Sequence, residues 1–180
     1  MLAQRRSPPM SEFAADDDEG EPESAMRRCS CGRSPLRGTD WEQVDDGLRE
    51  MRAFLTEMKI PAMDWRSEDG SGLARNDEVT PTSITRLLGA MNAGEQRELW
   101  NSLLPVGGQD GTLSARLCCM AETAAIRAKT GTLTRAVALS GYAESPTNGR
   151  LAFSILVNNF SAPTAEVRGW VDRLALALVE

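Results

Sequence analysis

The stretch AAIRAKTGTL, residues 124–133, decides how this chain reads. It has the character of a strand, and it ends in Lys129-Thr130-Gly131-Thr132. Two further strand-like segments follow, Ala136–Ala143 and Leu151–Asn158. Glu144–Arg150, with Ser145-Pro146 and Asn148-Gly149, carries the turn residues between them. Leu151–Val157 is almost wholly apolar, which predicts a strand covered on both faces. Pro163 then opens a helix whose Val167, Trp170, Val171, Leu174 and Leu178 share one side. The last third is therefore expected to be an antiparallel meander with a helix across it. Lysine is scarce, since only Lys59 and Lys129 occur. By residue type alone, Lys129 is either a site residue or an edge-strand lysine that discourages aggregation.

Upstream the pattern is helical. Thr39-Asp40-Trp41-Glu42 fits a capping box. Trp41, Val44, Leu48, Met51, Leu55 and Met58 then follow at three- and four-residue steps, an apolar core face that Pro61 closes. Asp69-Gly70-Ser71-Gly72-Leu73 reads as a turn, in which Asp69 and Ser71 are turn formers before they are candidates for catalysis; Asp110 reads the same way. Thr80-Pro81 supplies a cap and a first-turn proline for a helix bearing Ile84, Leu87, Leu88 and Met91, which stops near Asn92-Ala93-Gly94. A shorter helix spans Glu95–Leu104 before Pro105, and Gly107–Thr112 forms a loop.

Composition narrows the chemistry. Hydrophobic residues make up 41% and charged residues 26% of the 180, ordinary for a globular protein with one domain. The net charge of −6 is concentrated in residues 1–24, where seven acids outnumber two arginines. That leaves no basic footprint for nucleic acid. Residues 1–37 read as a disordered, acidic tail, and 38–180 as the folded part. With no histidine, Ser-His-Asp and Cys-His catalysis and His-ligated metal are excluded. Cys29 and Cys31 form C-x-C, and Cys118-Cys119 are adjacent, so neither pair has a zinc or thioredoxin spacing, and no metal or other cofactor is expected. The Gly107–Thr112 loop lacks a following Gly-Lys-Ser/Thr, so it is not a nucleotide cradle. No apolar run approaches the roughly 18 residues of a membrane span, and no secretory leader is recognisable.

Several blocks, in order, resemble the C-terminal part of class C low-molecular-mass penicillin-binding proteins. These are Asp69-Gly70-Ser71-Gly72-Leu73-Ala74-Arg75-Asn76, Val79-Thr80-Pro81, Leu104-Pro105-Val106-Gly107-Gly108 and Asp110-Gly111-Thr112-Leu113. They continue with Arg127–Leu133, Ala138–Tyr142 and Ala152–Asn158. The resemblance implies an α+β chain, part of a serine β-lactamase-like or penicillin-binding-protein-like transpeptidase fold with helices flanking an antiparallel sheet. It implies a serine D-alanyl-D-alanine carboxypeptidase or endopeptidase acting on peptidoglycan stem peptides, with β-lactams as alternative ligands. It places the protein in the periplasm or cell envelope. By the same resemblance, Lys129, Thr130 and Gly131 are the Lys-Thr-Gly motif of the active site. Lys129, Thr130 and Thr132 would bind substrate through an ammonium and two hydroxyls, Gly131 would allow close backbone approach, and the Thr132 N–H would serve an oxyanion hole.

The attacking half of the family's site has no counterpart in these 180 residues. No serine has lysine three residues later, and no Ser-x-Asn triplet occurs. Ser83-Ile84-Thr85-Arg86 is the nearest mimic, and arginine stays protonated and cannot act as the base. Three readings follow: part of a peptidase whose nucleophile comes from a missing N-terminal half, a non-catalytic module that binds peptidoglycan peptides, or a marginal fragment.

Overall fold

The computed structural model describes residues 41–117 and 125–180. All four cysteines, the capping residues Thr39 and Asp40, and the expected acidic tail lie outside that range.

Helix α1 spans Trp41–Glu57. Its end is set by hydrogen bonding before Pro61 is reached. The Ile60 N–H donates to the Leu55 carbonyl and the Lys59 N–H to that of Thr56, both at 2.9 Å. Lys59 takes the left-handed conformation such a helix stop requires, with φ of 57°. A short pair of antiparallel strands follows, β1 (Trp65–Arg66) and β2 (Glu78–Val79). Helix α2 covers Pro81–Ala93, and Thr80 Oγ1 accepts the Ser83 N–H as the sequence predicts. Helix α3, Arg97–Ser102, is shorter than expected, because tight turns close Trp100–Leu104.

Among the described residues, the centre of the fold is a three-stranded antiparallel sheet ordered β3 (Ile126–Leu133), β4 (Ala136–Ser145), β5 (Gly149–Asn158). Both outer strands pair with β4, which makes it the middle strand. The second hairpin is tighter than its sequence suggests: Ser145 pairs with Gly149, whose φ is 69°. One face of the sheet carries Ile126, Ala128, Val137, Leu139 and Phe153. Helix α4, Thr164–Leu176, closes that face with Val167, Val171 and Ala175. Burial follows these four-residue steps, so Trp170 and Leu174, expected inside, are 42% and 57% exposed. β5 is covered on both faces, by α4 where Ile155 and Val157 join the core and by α2 on the other side, although Phe153 alone of its residues is fully buried.

On the opposite face Tyr142 packs against Leu88 of α2 and Leu104. Its hydroxyl donates to the Leu88 carbonyl at 2.6 Å and accepts from Trp100 Nε1 at 3.1 Å. Burial pushes this phenol above its ordinary pKa, against the opposing effects of the Trp100 hydrogen bond and the Arg150 charge. The Arg150 guanidinium lies 4.2 Å from the centre of the Tyr142 ring.

β3 and β4 approach most closely at Ala128 and Gly141, which are register partners. A Cβ on Gly141 would lie 2.0 Å from the Arg127 carbonyl oxygen and 2.6 Å from Ala128 Cα. These are backbone atoms, and they cannot rotate away. Gly141→Ala is therefore expected to cost about 3 kcal/mol, the upper part of the overpacking range. Urea denaturation of the two proteins checks this, and unchanged stability would show that the strands have room to separate.

Candidate active site

β3 is an outer strand among the described residues, and these cover only half of its outer edge. The Ala128 N–H donates to the Pro105 carbonyl at 3.0 Å, and the Gly107 N–H donates to the Ile126 carbonyl at 2.9 Å. Val106 bridges Arg127. Residues 105–107 thus act as a short fourth strand that ends beside Ala128. In an antiparallel ladder alternate residues turn their N–H and C=O to the same side. Thr130 and Thr132 therefore turn their backbone groups outward, as Ala128 does, and they do so beyond the end of the Pro105–Gly107 cover.

The loop that ends this cover has a fixed shape. Asp110 Oδ1 accepts the Val106 N–H at 2.6 Å. Gly108 and Gly111 have φ of 69° and 47°. A Cβ on Gly111 would meet the Pro105 ring at 3.0 Å, so both conformation and space favour glycine there. The Gly108 N–H is shared by the Leu113 and Arg116 carbonyls, both at 3.0 Å. Arg116 then anchors the loop to α4, its guanidinium reaching Asp172 at 2.7 and 3.4 Å. Asp110 is thus a loop-holding residue. Asp69 is a turn-holding one: it accepts both the hydroxyl and the N–H of Ser71, at 2.6 and 2.8 Å. Those two bonds hold its carboxyl below the usual range, the hydroxyl contributing most.

The four motif residues stand at the open end of β3. Lys129 is exposed, and its Nζ reaches the outward carbonyl of Thr130 at 3.0 Å. On the same sheet face its row continues into Ser140 and Ser154, whose hydroxyls lie 2.9 Å apart. Thr130 is half-buried on the other face, and its hydroxyl donates to Thr112 Oγ1 at 2.8 Å. Thr132, exposed on that face, accepts from Arg168 Nη2 at 3.4 Å. Gly131 stands opposite Ala138, and a Cβ there would come 3.3 Å from the Ala138 methyl. Its lack of a side chain thus also suits the packing of β3 on β4.

Thr112 and Arg168 join the site only through folding. Thr112 belongs to a recognisable block but has no polar role by sequence. Arg168 has no signal at all, being one charged position beside the buried stripe of α4. In chemical terms the cluster offers a cation, three hydroxyls, a guanidinium and a free strand edge. It suits an extended chain ending in an anion. Among the described residues no group of three or more His, Cys, Asp or Glu is arranged to hold a metal ion, and no helix is long and apolar enough to cross a membrane.

Comparison with known proteins agrees with this architecture. The family model of the D-Ala-D-Ala carboxypeptidase 3 (S13) family matches residues 2–176, and so begins inside the segment that composition marks as a tail. The chain is 33% identical over 172 residues to a D-alanyl-D-alanine carboxypeptidase of Actinomadura sp. (strain R39), covering 91% of this chain and 31% of that relative. It is 34% identical over 135 residues to carboxypeptidase DacB of Mycolicibacterium smegmatis, covering 70% of this chain and 29% of that one. The structure of penicillin binding protein 4 (dacB) from Haemophilus influenzae, complexed with a novel β-lactam, superposes with a TM-score of 0.67. Identity there is 24%, over 76% of this chain and 34% of that protein. The chain therefore spans about a third of the length of the proteins it matches.

Asp110→Ala removes a charged acceptor from a backbone N–H and is expected to cost about 1.5–3 kcal/mol. Hydrogen exchange should quicken at Val106 and Ala128 together, since the loop holds the strand edge. Faster exchange at Val106 alone would show that the Pro105–Gly107 cover does not depend on Asp110.

Proposed function

The chain belongs to the D-Ala-D-Ala carboxypeptidase 3 (S13) family, and we propose that it carries the substrate-holding edge of a serine D-alanyl-D-alanine carboxypeptidase or endopeptidase. The substrate is a peptidoglycan stem peptide, and a β-lactam occupies the same edge. The observation that carries this reading is the open half of β3, where the outward Thr130 and Thr132 backbone follows directly on a covered half.

An extended peptide adds to such an edge as a further strand, with main-chain hydrogen bonds giving affinity. The scissile carbonyl then lies against the Thr132 N–H, one donor of an oxyanion hole; one such donor is worth about 10²–10³ in turnover. Lys129 leaves the Thr130 carbonyl and turns its ammonium toward the reacting hydroxyls. The hydroxyls of Thr130 and Thr132 hold the substrate's terminal carboxylate. The serine nucleophile and its lysine base lie outside these 180 residues, which contain no Ser-x-x-Lys. They belong beside Lys129, above Gly131, Ala138 and Ser140, where β3 and β4 present only small side chains. The protein works at the cell envelope, where its substrate is.

The missing nucleophile supports a second reading, in which the chain binds stem peptides without cleaving them. Fluorescent penicillin with intact-mass detection separates the readings from outright catalysis. The expected result is no covalent adduct on the folded chain, because acylation needs the serine. Alongside, N-acetyl-D-alanyl-D-alanine titrated into isotope-labelled chain should shift the Thr130 and Thr132 amide resonances, and Thr130→Val should weaken binding about 5- to 10-fold, one hydrogen bond's worth. A stoichiometric adduct would overturn the half-site, and shifts confined to other strands would overturn the substrate edge.

A further inference from the structure

We propose that Arg168 is a specificity residue of this site, binding the terminal carboxylate of the substrate from the α4 side of the sheet. The proposal rests on the reading of the β3 edge as the substrate-holding edge and adds to it a charge from another element.

Arg168 follows Val167, which is fully buried against the sheet, so the backbone that carries the guanidinium is fixed. Nη2 reaches Thr132 Oγ1 at 3.4 Å, long for a hydrogen bond and the one bond it makes among the described residues. Nε is buried with no acceptor among the described residues, which leaves any ligand to the terminal nitrogens. Buried donors are ordinarily satisfied, and a guanidinium left short of acceptors calls for an explanation. The acid one turn along α4, Asp172, is engaged by Arg116, and among the described residues no carboxylate lies within ion-pair distance of Arg168. Arginine cannot lose its proton to relieve this.

What surrounds the guanidinium indicates its ligand. Thr132 is exposed and Thr130, two residues back on the same face, is half-buried, so an anion placed at their hydroxyls meets both threonines and Arg168. Lys129 projects from the opposite face of β3 and serves the reacting groups there. The two cations are thereby divided between two tasks. A planar guanidinium suits a planar carboxylate and gives shorter, stronger hydrogen bonds than a neutral donor. A peptide that ends in D-alanine carries that carboxylate, and the corresponding amide does not. Arg168 would therefore favour a substrate with a free carboxylate beside the scissile bond over one in which that carboxylate is amidated.

The test titrates N-acetyl-D-alanyl-D-alanine and its C-terminal amide into the chain by NMR, with Arg168→Gln and Arg168→Lys beside the wild type. The wild type is expected to prefer the carboxylate by about 10-fold or more, the scale of a charged hydrogen bond. Arg168→Gln should remove most of that preference by weakening the acid at least several-fold more than the amide, and Arg168→Lys should keep part of it. Thermal melts establish that each variant is folded, and if Arg168→Gln is not, Arg168→Lys decides by whether its preference falls. A preference unaltered in the folded variants, or equal loss of both ligands, would overturn the role of Arg168 alone. A wild type that binds both ligands equally at the β3 edge would do the same. A wild type that binds neither ligand would overturn the substrate edge itself, and this inference with it.

Discussion

The site depends on where one short backbone pairing stops. Pro105–Gly107 hydrogen-bonds along β3 as far as Ala128 and then turns away. Had the pairing continued, Thr130 and Thr132 would have had their outward groups satisfied internally. Had it been absent, the whole outer edge would stand open, an invitation to pairing with other chains. The turn-away is enforced by Asp110, which holds Val106, and by Gly111, which leaves room for the Pro105 ring. A loop some twenty residues distant in sequence thus defines the first free residue of the strand.

Charge is arranged around that opening from two elements and two faces. Lys129 comes from the strand itself and Arg168 from the helix that closes the core. Neither has a carboxylate partner among the described residues, whereas Arg116, Arg150 and Arg86 each have one. Nearby cations left uncompensated favour an anionic ligand, and they give it orientation as well as affinity. The surrounding sheet is rigid where this matters. The close approach of Gly141 to β3 and the Tyr142 hydroxyl between Leu88 and Trp100 fix β4, and β4 in turn fixes β3.

Local sequence was a good guide where the determinant was local. The Thr80 cap and Pro81 start α2 as read, and the three strands appear with ends shifted by two residues or fewer. It was a poorer guide where burial depends on neighbours. Trp170 and Leu174 look like core by hydrophobicity, but α4 meets the sheet along Val167, Val171 and Ala175. Leu151–Val157 is covered on both faces as read, but only Phe153 reaches full burial. The paired two-residue strands β1 and β2 carry no periodicity long enough to read.

The motif residues, the blocks that mark the family, and the absence of histidine and of Ser-x-x-Lys from these 180 residues are all legible along the chain. Those are matters of residue identity and spacing along the chain. Which half of β3 the described residues leave uncovered, the contact of Thr112 with Thr130 and the reach of Arg168 to Thr132 arise on folding. The reason is sequence separation. Thr112 and Arg168 lie 18 and 36 residues from the threonines they meet. No periodicity records such a contact, which exists only once the loop and α4 are packed on one sheet.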